Sequence, residues 1–308
     1  MPETDETPER IAEIAGVNFG KIPEEEWGEI LPEIVAGSGF ELAWDHADTE
    51  LGLASGKGLG RIRSGGTMWT VRGWRGTVYP EKDPQRTWIG HYGRAFQSIE
   101  LNATHYRIHP PERMKIWADA MPEGFKFCPK FPAIITRYRK FNNCEGPTDD
   151  FIDALLALGD KRGTSFIQLT PQFMPHHGEK LARYLEAWPR EIKLAIEFRH
   201  PAWFEGGADA EAIWAQMLDQ GVGSVLSDTA LRRDAAHMRL TAPHAIIRFG
   251  GYAGHASDQQ RLLAWKERIE HWVAQGLDDL DFFVHQPDSL GTPETCAAFN
   301  QLMRSVGT

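Results

Sequence analysis

The chain has 308 residues, 42% hydrophobic and 25% charged, with a formal net charge of −10. That length and balance fit one large globular unit or two ordinary ones. The acidic surplus argues against a general nucleic-acid or membrane-surface binder, which needs a basic patch, although a local basic pocket is allowed.

The start, MPETDETPER, is acidic and polar, unlike a secretory leader. No apolar run approaches the roughly 18 residues of a membrane span. Cys128, Cys144 and Cys296 have no metal-type spacing and are odd in number, so a reducing cytoplasm is the expected home. Residues 1–65 read as an extension packed on the main domain. Arg10 to Ile34 holds a short helical candidate, and the GKGLG run at 56–60 lacks the full phosphate-loop pattern.

From 66 onward, apolar runs alternate with helical patterns. Strands are expected at 66–71, 97–102, 124–130, 164–169, 192–198, 222–228, 245–250 and 281–286. Helices are expected near 84–96, 111–120, 148–158, 178–188, 208–220, 257–275 and 293–304. The link at 229–243 is only weakly helical. Eight strands alternating with helices suggest parallel βαβ units, and about 240 residues suits a TIM-type (β/α)8-like barrel over 66–308. A doubly wound open sheet is the alternative, but no Gly-x-Gly-x-x-Gly follows the first strand.

Barrel active sites lie at the carboxyl ends of the strands. Those ends carry Arg72 and Trp74; Glu100 and Asn102, then His105 and Tyr106; Lys130; Gln168; Glu197, then Arg199 and His200; Asp228; Arg248; His285 and Gln286. A buried unpaired carboxylate is costly, so Glu100 within an apolar strand needs a reason. Two groupings follow. Glu100, Glu197, Asp228 and His285 are donors for a divalent metal ion, with Glu197, Asp228 and His285 the tightest set. Lys130, Arg199 and Arg248 are cations for a phosphate or carboxylate. Trp69, Trp74, Tyr106 and Trp203 are candidates for an aromatic wall. Arg232, Arg233, Asp234 and His237 form either a lid or a surface turn. Ser-His-Asp chemistry has no nucleophile elbow here, and Cys128 reads as a small buried hydrophobe.

The strings IELNATHY, KFCPKFP and EFRHPAWF, followed by SDTALRRDAAHMRLT, IIRFGG and FFVHQPD, resemble the YecE-like family, domain of unknown function 72. The resemblance covers roughly residues 66–304 and is closest to a branch with an extended N-terminus. It implies a β/α barrel, sometimes grouped with sugar isomerases, and brings no established activity. Its matching positions are Glu100, Asn102, Lys130, Gln168, Glu197, Arg199, His200, Asp228 and Arg248. The pattern expects asparagine near the second glycine of 248–251, where this chain has Gly251.

The expected ligand is a small polyhydroxylated or anionic molecule. The expected chemistry is proton transfer beside a carbonyl. Glu197 or Glu100 is the base, Lys130 and Arg248 stabilise the developing charge, and His285 shuttles a proton or holds metal. Asn102, Tyr106, Gln168, Arg199 and His200 complete the binding set. Metal-assisted phosphoester or glycoside hydrolysis and a non-catalytic binding barrel are the alternatives.

Overall fold

The computed structural model describes residues 40–306 and, before them, residues 22, 24–26, 28 and 30–32. The expected frayed start and most of the helical candidate at 10–34 lie outside the described residues. Helix α1 (Asp48–Leu53) precedes the first strand. Strand β1 (Arg61–Gly65) leads to α2 (Trp88–Ala95), β2 (Ser98–Leu101) to α3 (Pro111–Asp119), and β3 (Lys126–Pro129) to α4 (Glu145–Leu156). Then β4 (Ser165–Gln168) is followed by α5 (Gly178–Ala187), and β5 (Leu194–Glu197) by α6 (Ala208–Gln220). The chain closes with β6 (Gly223–Asp228), β7 (His244–Gly250), α7 (Ala256–Gln275), β8 (Asp279–His285) and α8 (Thr292–Leu302).

All the ladders are parallel. They form a six-stranded sheet, β1-β8-β7-β6-β5-β4, and a two-stranded sheet, β2-β3. Single backbone contacts join the two sheets. Beside β1 and β2, Gln97 N donates to Ser64 O at 3.2 Å and Glu100 N to Gly66 O at 3.1 Å. Beside β3 and β4, Phe131 N donates to Phe166 O at 2.9 Å, and Lys130 bridges Phe166. The strands read as unbroken apolar runs because both faces are covered; all four residues of β2 and of β5 are buried.

The first strand was expected at 66–71 and lies at 61–65, inside the stretch assigned to the extension. Its sequence, RIRSG, looks unlike a buried strand because its arginines are neutralised by β8. Arg61 pairs with Asp279 at 2.7 Å, and Arg63 with Asp281 at 3.0 Å.

Alternation along the strands sorts side chains into layers. Cys128, Phe166, Ala195, Val225, Ile246 and Phe283, one from each of β3 to β8, form a small apolar cluster separate from the helix-facing cores. Two residues further along come Lys130, Gln168, Glu197, Ser227, Arg248 and His285. Two residues earlier lie Lys126, Lys193, His244 and Asp281, at the amino ends with the Arg61–Arg63–Asp279 pairs. The apolar layer thus separates two polar ones, and only the upper one lies at the carboxyl ends.

One helix is displaced in sequence. The link from β6 to β7 contains no more than a single turn at Arg233–Ala235. Helix α1 lies there instead, against α6 and α7. The Thr49 hydroxyl donates to Met238 O at 2.8 Å and accepts from Leu240 N at 3.1 Å. Arg239 ties Asp48 to Glu211 of α6, each at 2.9 Å. Leu53 is fully buried. A Cβ on Gly52 would sit 2.2 Å from the Leu240 carbonyl oxygen, so only glycine allows this approach. Upstream, Ile22, Ile30 and Leu31 pack on Ala230 and Tyr252, which follow β6 and β7. Downstream, Lys57 N and Leu59 N donate to Asp278 Oδ1 just before β8. The segment therefore runs from the carboxyl ends of the strands to their amino ends before entering β1.

Candidate functional site

The upper polar layer centres on Arg248 of β7. Its guanidinium lies between two buried carboxylates and engages both. Nε and Nη2 donate to Glu100 Oε2 and Oε1 at 2.9 and 3.0 Å. Nη1 donates to Glu197 Oε2 and Oε1 at 2.9 and 3.1 Å. The remaining lone pairs are also taken. Asn102 Nδ2 donates to Glu100 Oε1 at 2.9 Å, and His285 Nε2 lies 3.0 Å from Oε2. Ser227 Oγ donates to Glu197 Oε1 at 3.0 Å, Gln168 Nε2 to Oε2 at 2.7 Å, and Arg199 Nε lies 3.3 Å from Oε1. Gln168 turns its other end to Lys130, whose Nζ donates to Oε1 at 2.8 Å. One continuous chain of contacts thus links residues at the carboxyl ends of all the strands from β2 to β8.

Both carboxylates are wholly buried, whereas the Arg248 and His285 side chains are each 13% exposed and Arg199 21%. Burial alone would raise the Glu100 pKa, but Arg248 and His285 hold it well below the ordinary range. Glu197, opposed in the same way by burial, is brought down by Arg248 and Arg199 to about 2. The Arg248 pKa is raised against burial by the same two partners. Lys130 moves the other way: burial and then Arg248 lower it to about 8, against the pull of both glutamates.

These carboxylates do not fit the role of general base. A carboxylate with every lone pair engaged and its pKa held below the ordinary range has little affinity for a substrate proton. Glu100 and Glu197 instead orient Arg248. Lys130, Arg199 and Arg248 set three cationic side chains against the two carboxylates beneath them.

The structure brings together Glu100, Asn102, Lys130, Gln168, Glu197, Arg199, Arg248 and His285. It does not bring Asp228 to them. Asp228 Oδ2 accepts from Trp265 Nε1 of α7 at 2.7 Å, and Oδ1 pairs with Arg233 and with Arg261 at 3.2 Å. The reason is parity. Ser227 shares a face with Val225 and reaches Glu197, so its neighbour Asp228 turns outward to the helices. The metal set Glu197, Asp228 and His285 is therefore split across two faces. Among the described residues no three His, Cys, Asp or Glu side chains converge as ligands, and Arg248 fills the space between Glu100 and Glu197. This donor set does not fit a metal ion.

Two other expected residues stand apart. His200 Nδ1 accepts from Ala202 N at 3.1 Å and caps the turn 201–203. Tyr106 is 84% exposed. Of the expected aromatic wall, Trp74 and Trp203 are core residues, and Trp69 packs edge-on against Trp117. Ser227 is the residue sequence reading missed; its alternation with Val225 is the signal that would have found it. Asp228→Asn is expected to lower stability by about 3–5 kcal/mol, because Arg233 and Arg261 lose a buried partner. Urea unfolding checks this. A loss of ligand affinity with stability unchanged would return Asp228 to the site.

A family model described as "Protein of unknown function DUF72" matches residues 63–307. The chain belongs to the DUF72 family. Among relatives of this DUF72 chain, UPF0759 protein YecE of Escherichia coli (strain K12) is 28% identical over 226 residues, covering 68% of this chain and 82% of YecE. UPF0759 protein YunF of Bacillus subtilis (strain 168) is 26% identical over 143 residues, covering 44% of this chain and 51% of YunF. The crystal structure of a DUF72 family protein from Enterococcus faecalis V583 superposes with a TM-score of 0.62 at 17% identity, covering 79% of this chain and 95% of that one. One from Thermotoga maritima MSB8 gives 0.59 at 18%, covering 80% and 100%. These likenesses show a shared α/β fold.

In this DUF72 chain the space beside Gly251 belongs to Gln286. A Cβ on Gly251 would lie 2.3 Å from Gln286 Nε2. Gln286 also accepts from Ala253 N at 2.8 Å. An asparagine at 251 would displace that side chain, whose amide is already engaged by Ala253 N and by the Thr295 hydroxyl. Other clefts lie between α7 and α8 and beside Trp214, Glu211 and Arg239. The second holds Arg239 between Asp48 and Glu211, but neither draws polar side chains from several strand ends, and chemistry favours the strand ends. Among the described residues no helix is long and apolar enough to cross a membrane.

Proposed function

We propose that the chain is an enzyme acting on a small metabolite that carries both an anionic group and a carbonyl, bound at the carboxyl ends of a TIM-type barrel. Eight parallel strands in two sheets, bridged at both seams, support the barrel reading. The observation that carries the function is Arg248 held rigidly by Glu100 and Glu197 beside Lys130 and Arg199. Such a face presents fixed positive charge at low local dielectric, where it stabilises an anion or an enolate.

The isomerase-like reading keeps Lys130 and Arg248 as charge stabilisers but moves the proton-transfer role from the glutamates to Lys130. Its pKa of about 8 suits exchange near neutral pH. Glycoside hydrolysis needs one carboxyl kept protonated, and both here are held low. The buried free cysteines Cys128, Cys144 and Cys296 support a reducing compartment such as the cytoplasm.

Calorimetric titration with glycerol 3-phosphate, glycerate and glycerol tests the binding. The anions are expected to bind, glycerol not detectably. Lys130→Met and Arg199→Met are each expected to weaken anion binding at least about 10-fold, the ~1.4 kcal/mol of one charge-assisted hydrogen bond. Equal affinity for glycerol and its phosphate would overturn the reading. Binding without turnover of any carbonyl compound would favour the non-catalytic barrel.

A further inference from the structure

We propose that Lys130 is a nucleophile that forms an imine with the carbonyl carbon of the bound metabolite. The inference rests on the proposed ligand site and goes beyond it by assigning covalent chemistry. Burying a lysine is costly unless it is paired, and Lys130 is 8% exposed. Yet its hydrogen bond goes to a neutral amide oxygen, that of Gln168, and it forms no ion pair among the described residues. Two carboxylates lie in the same layer, but Arg248 occupies both. The fold thus places an amine among cations and takes its natural partners away.

The charged and titratable groups around Lys130 are Arg248 and Arg199, which oppose its protonation, and Glu100 and Glu197, which favour it. His105, from the turn after β2, also lies within electrostatic reach. Burial and Arg248 prevail, so a substantial share of neutral amine exists near pH 8. Gln168 Oε1, as acceptor, takes one N–H and leaves the nitrogen lone pair in one of the two remaining staggered positions.

The step balances without an oxidant or reductant. The lone pair of the neutral amine forms the C–N bond while the carbonyl π pair moves to oxygen. The two amine protons pass to that oxygen, which leaves as water when the C=N bond forms. Protonated, the imine withdraws electrons from the adjacent C–H bond more strongly than the parent carbonyl. The substrate class is accordingly small aldehydes and ketones bearing a carboxylate or phosphate.

The test incubates the full chain with pyruvate or glyceraldehyde 3-phosphate and sodium cyanoborohydride, followed by peptide mass spectrometry. One reduced adduct per chain is expected on Lys130, its initial rate at least about 10-fold that of exposed Lys82, given the lower pKa, and rising with pH to a midpoint of about 8. Lys130→Arg, which keeps charge, is expected to melt like the wild type and give no adduct there. Glycerol 3-phosphate binding is measured in parallel. If it binds and Lys130 is not labelled above Lys82, the imine is overturned and the site stands. If neither binding nor selective labelling occurs, both readings fail.

Discussion

Arg248→Met is expected to destabilise the protein by about 3–5 kcal/mol, the cost of leaving buried charge without its partner. The methionine fills similar space, but Glu100 and Glu197, both at zero exposure, then face each other across an apolar side chain. For a chain this size the loss corresponds to a fall of about 5–8 °C in melting temperature. The pH dependence carries the sharper sign. In the wild type Glu197 has a folded pKa of about 2 against an ordinary 4.5. Its contribution is complete above pH 4.5 and is lost as pH falls from there toward 2. In Arg248→Met the largest cationic influence on both carboxylates is gone, and burial, the largest influence of all, is expected to raise the Glu100 pKa above its unfolded value. The variant therefore gains stability as pH falls through that raised value, while the wild type loses it. Urea unfolding at pH 7, 5 and 4 reads both slopes. The triple variant Arg248→Met, Glu100→Gln, Glu197→Gln is expected to recover most of the loss at pH 7. Parallel slopes, or no recovery in the triple variant, would mean that the clamp is not what holds this end of the sheet together.

How much of this was legible beforehand depends on which physical signal each residue leaves. Seven strands were placed within two residues of their positions because buried parallel strands are short apolar runs between amphipathic helices. The exception, β1, announces nothing: its Arg61 and Arg63 become compatible with a strand only through Asp279 and Asp281, some 218 residues away. The helix replacing the one missing after β6 was illegible for the same reason. A six-residue DTELGL segment declares itself only when Met238 and Leu240 lie opposite.

Within the site, composition located the right end of the strands, but reading every polar strand end as convergent ignored the period of two. Glu197, Arg248 and His285 are each two residues beyond a member of the layer below, and Glu100 of β2 meets them through Arg248 and His285. Asp228 is one residue out of step and lies on the helix side. What no pattern conveyed was the division of labour among residues that do meet. A glutamate that accepts a substrate proton and one that holds an arginine look alike in a sequence. Only the bidentate geometry, with each lone pair engaged, assigns these two to Arg248 and leaves Lys130 as the group with an accessible proton equilibrium.

Truncation tests the displaced helix, and its effect is expected to be large. A chain of residues 61–308 contains every strand among the described residues and the whole stretch matched by the family model, residues 63–307. It lacks α1 and the segment binding Asp278. Removing them uncovers the fully buried Met238 and Leu240. It also strips the Leu240 N–H of its Thr49 acceptor and leaves Arg239, 7% exposed, without Asp48. Each of these losses costs on the order of 1–3 kcal/mol, and together they consume most of a typical domain's stability. The truncated chain is expected to aggregate, or to bind a hydrophobic dye without a cooperative melt, whereas a chain of residues 22–308, which keeps Ile22, Ile30 and Leu31 on Ala230 and Tyr252, melts within a few degrees of the full length. Gly52→Val gives the same test with one residue, since its side chain must displace the Leu240 carbonyl; overpacking of this kind costs about 1–3 kcal/mol. If residues 61–308 unfold cooperatively at the full-length temperature, α1 is dispensable and the folding unit ends where the family match does. If they do not, the unit begins at least at Asp48, because a β/α fold that omits one helix from its sequence order must obtain that cover from elsewhere in the chain.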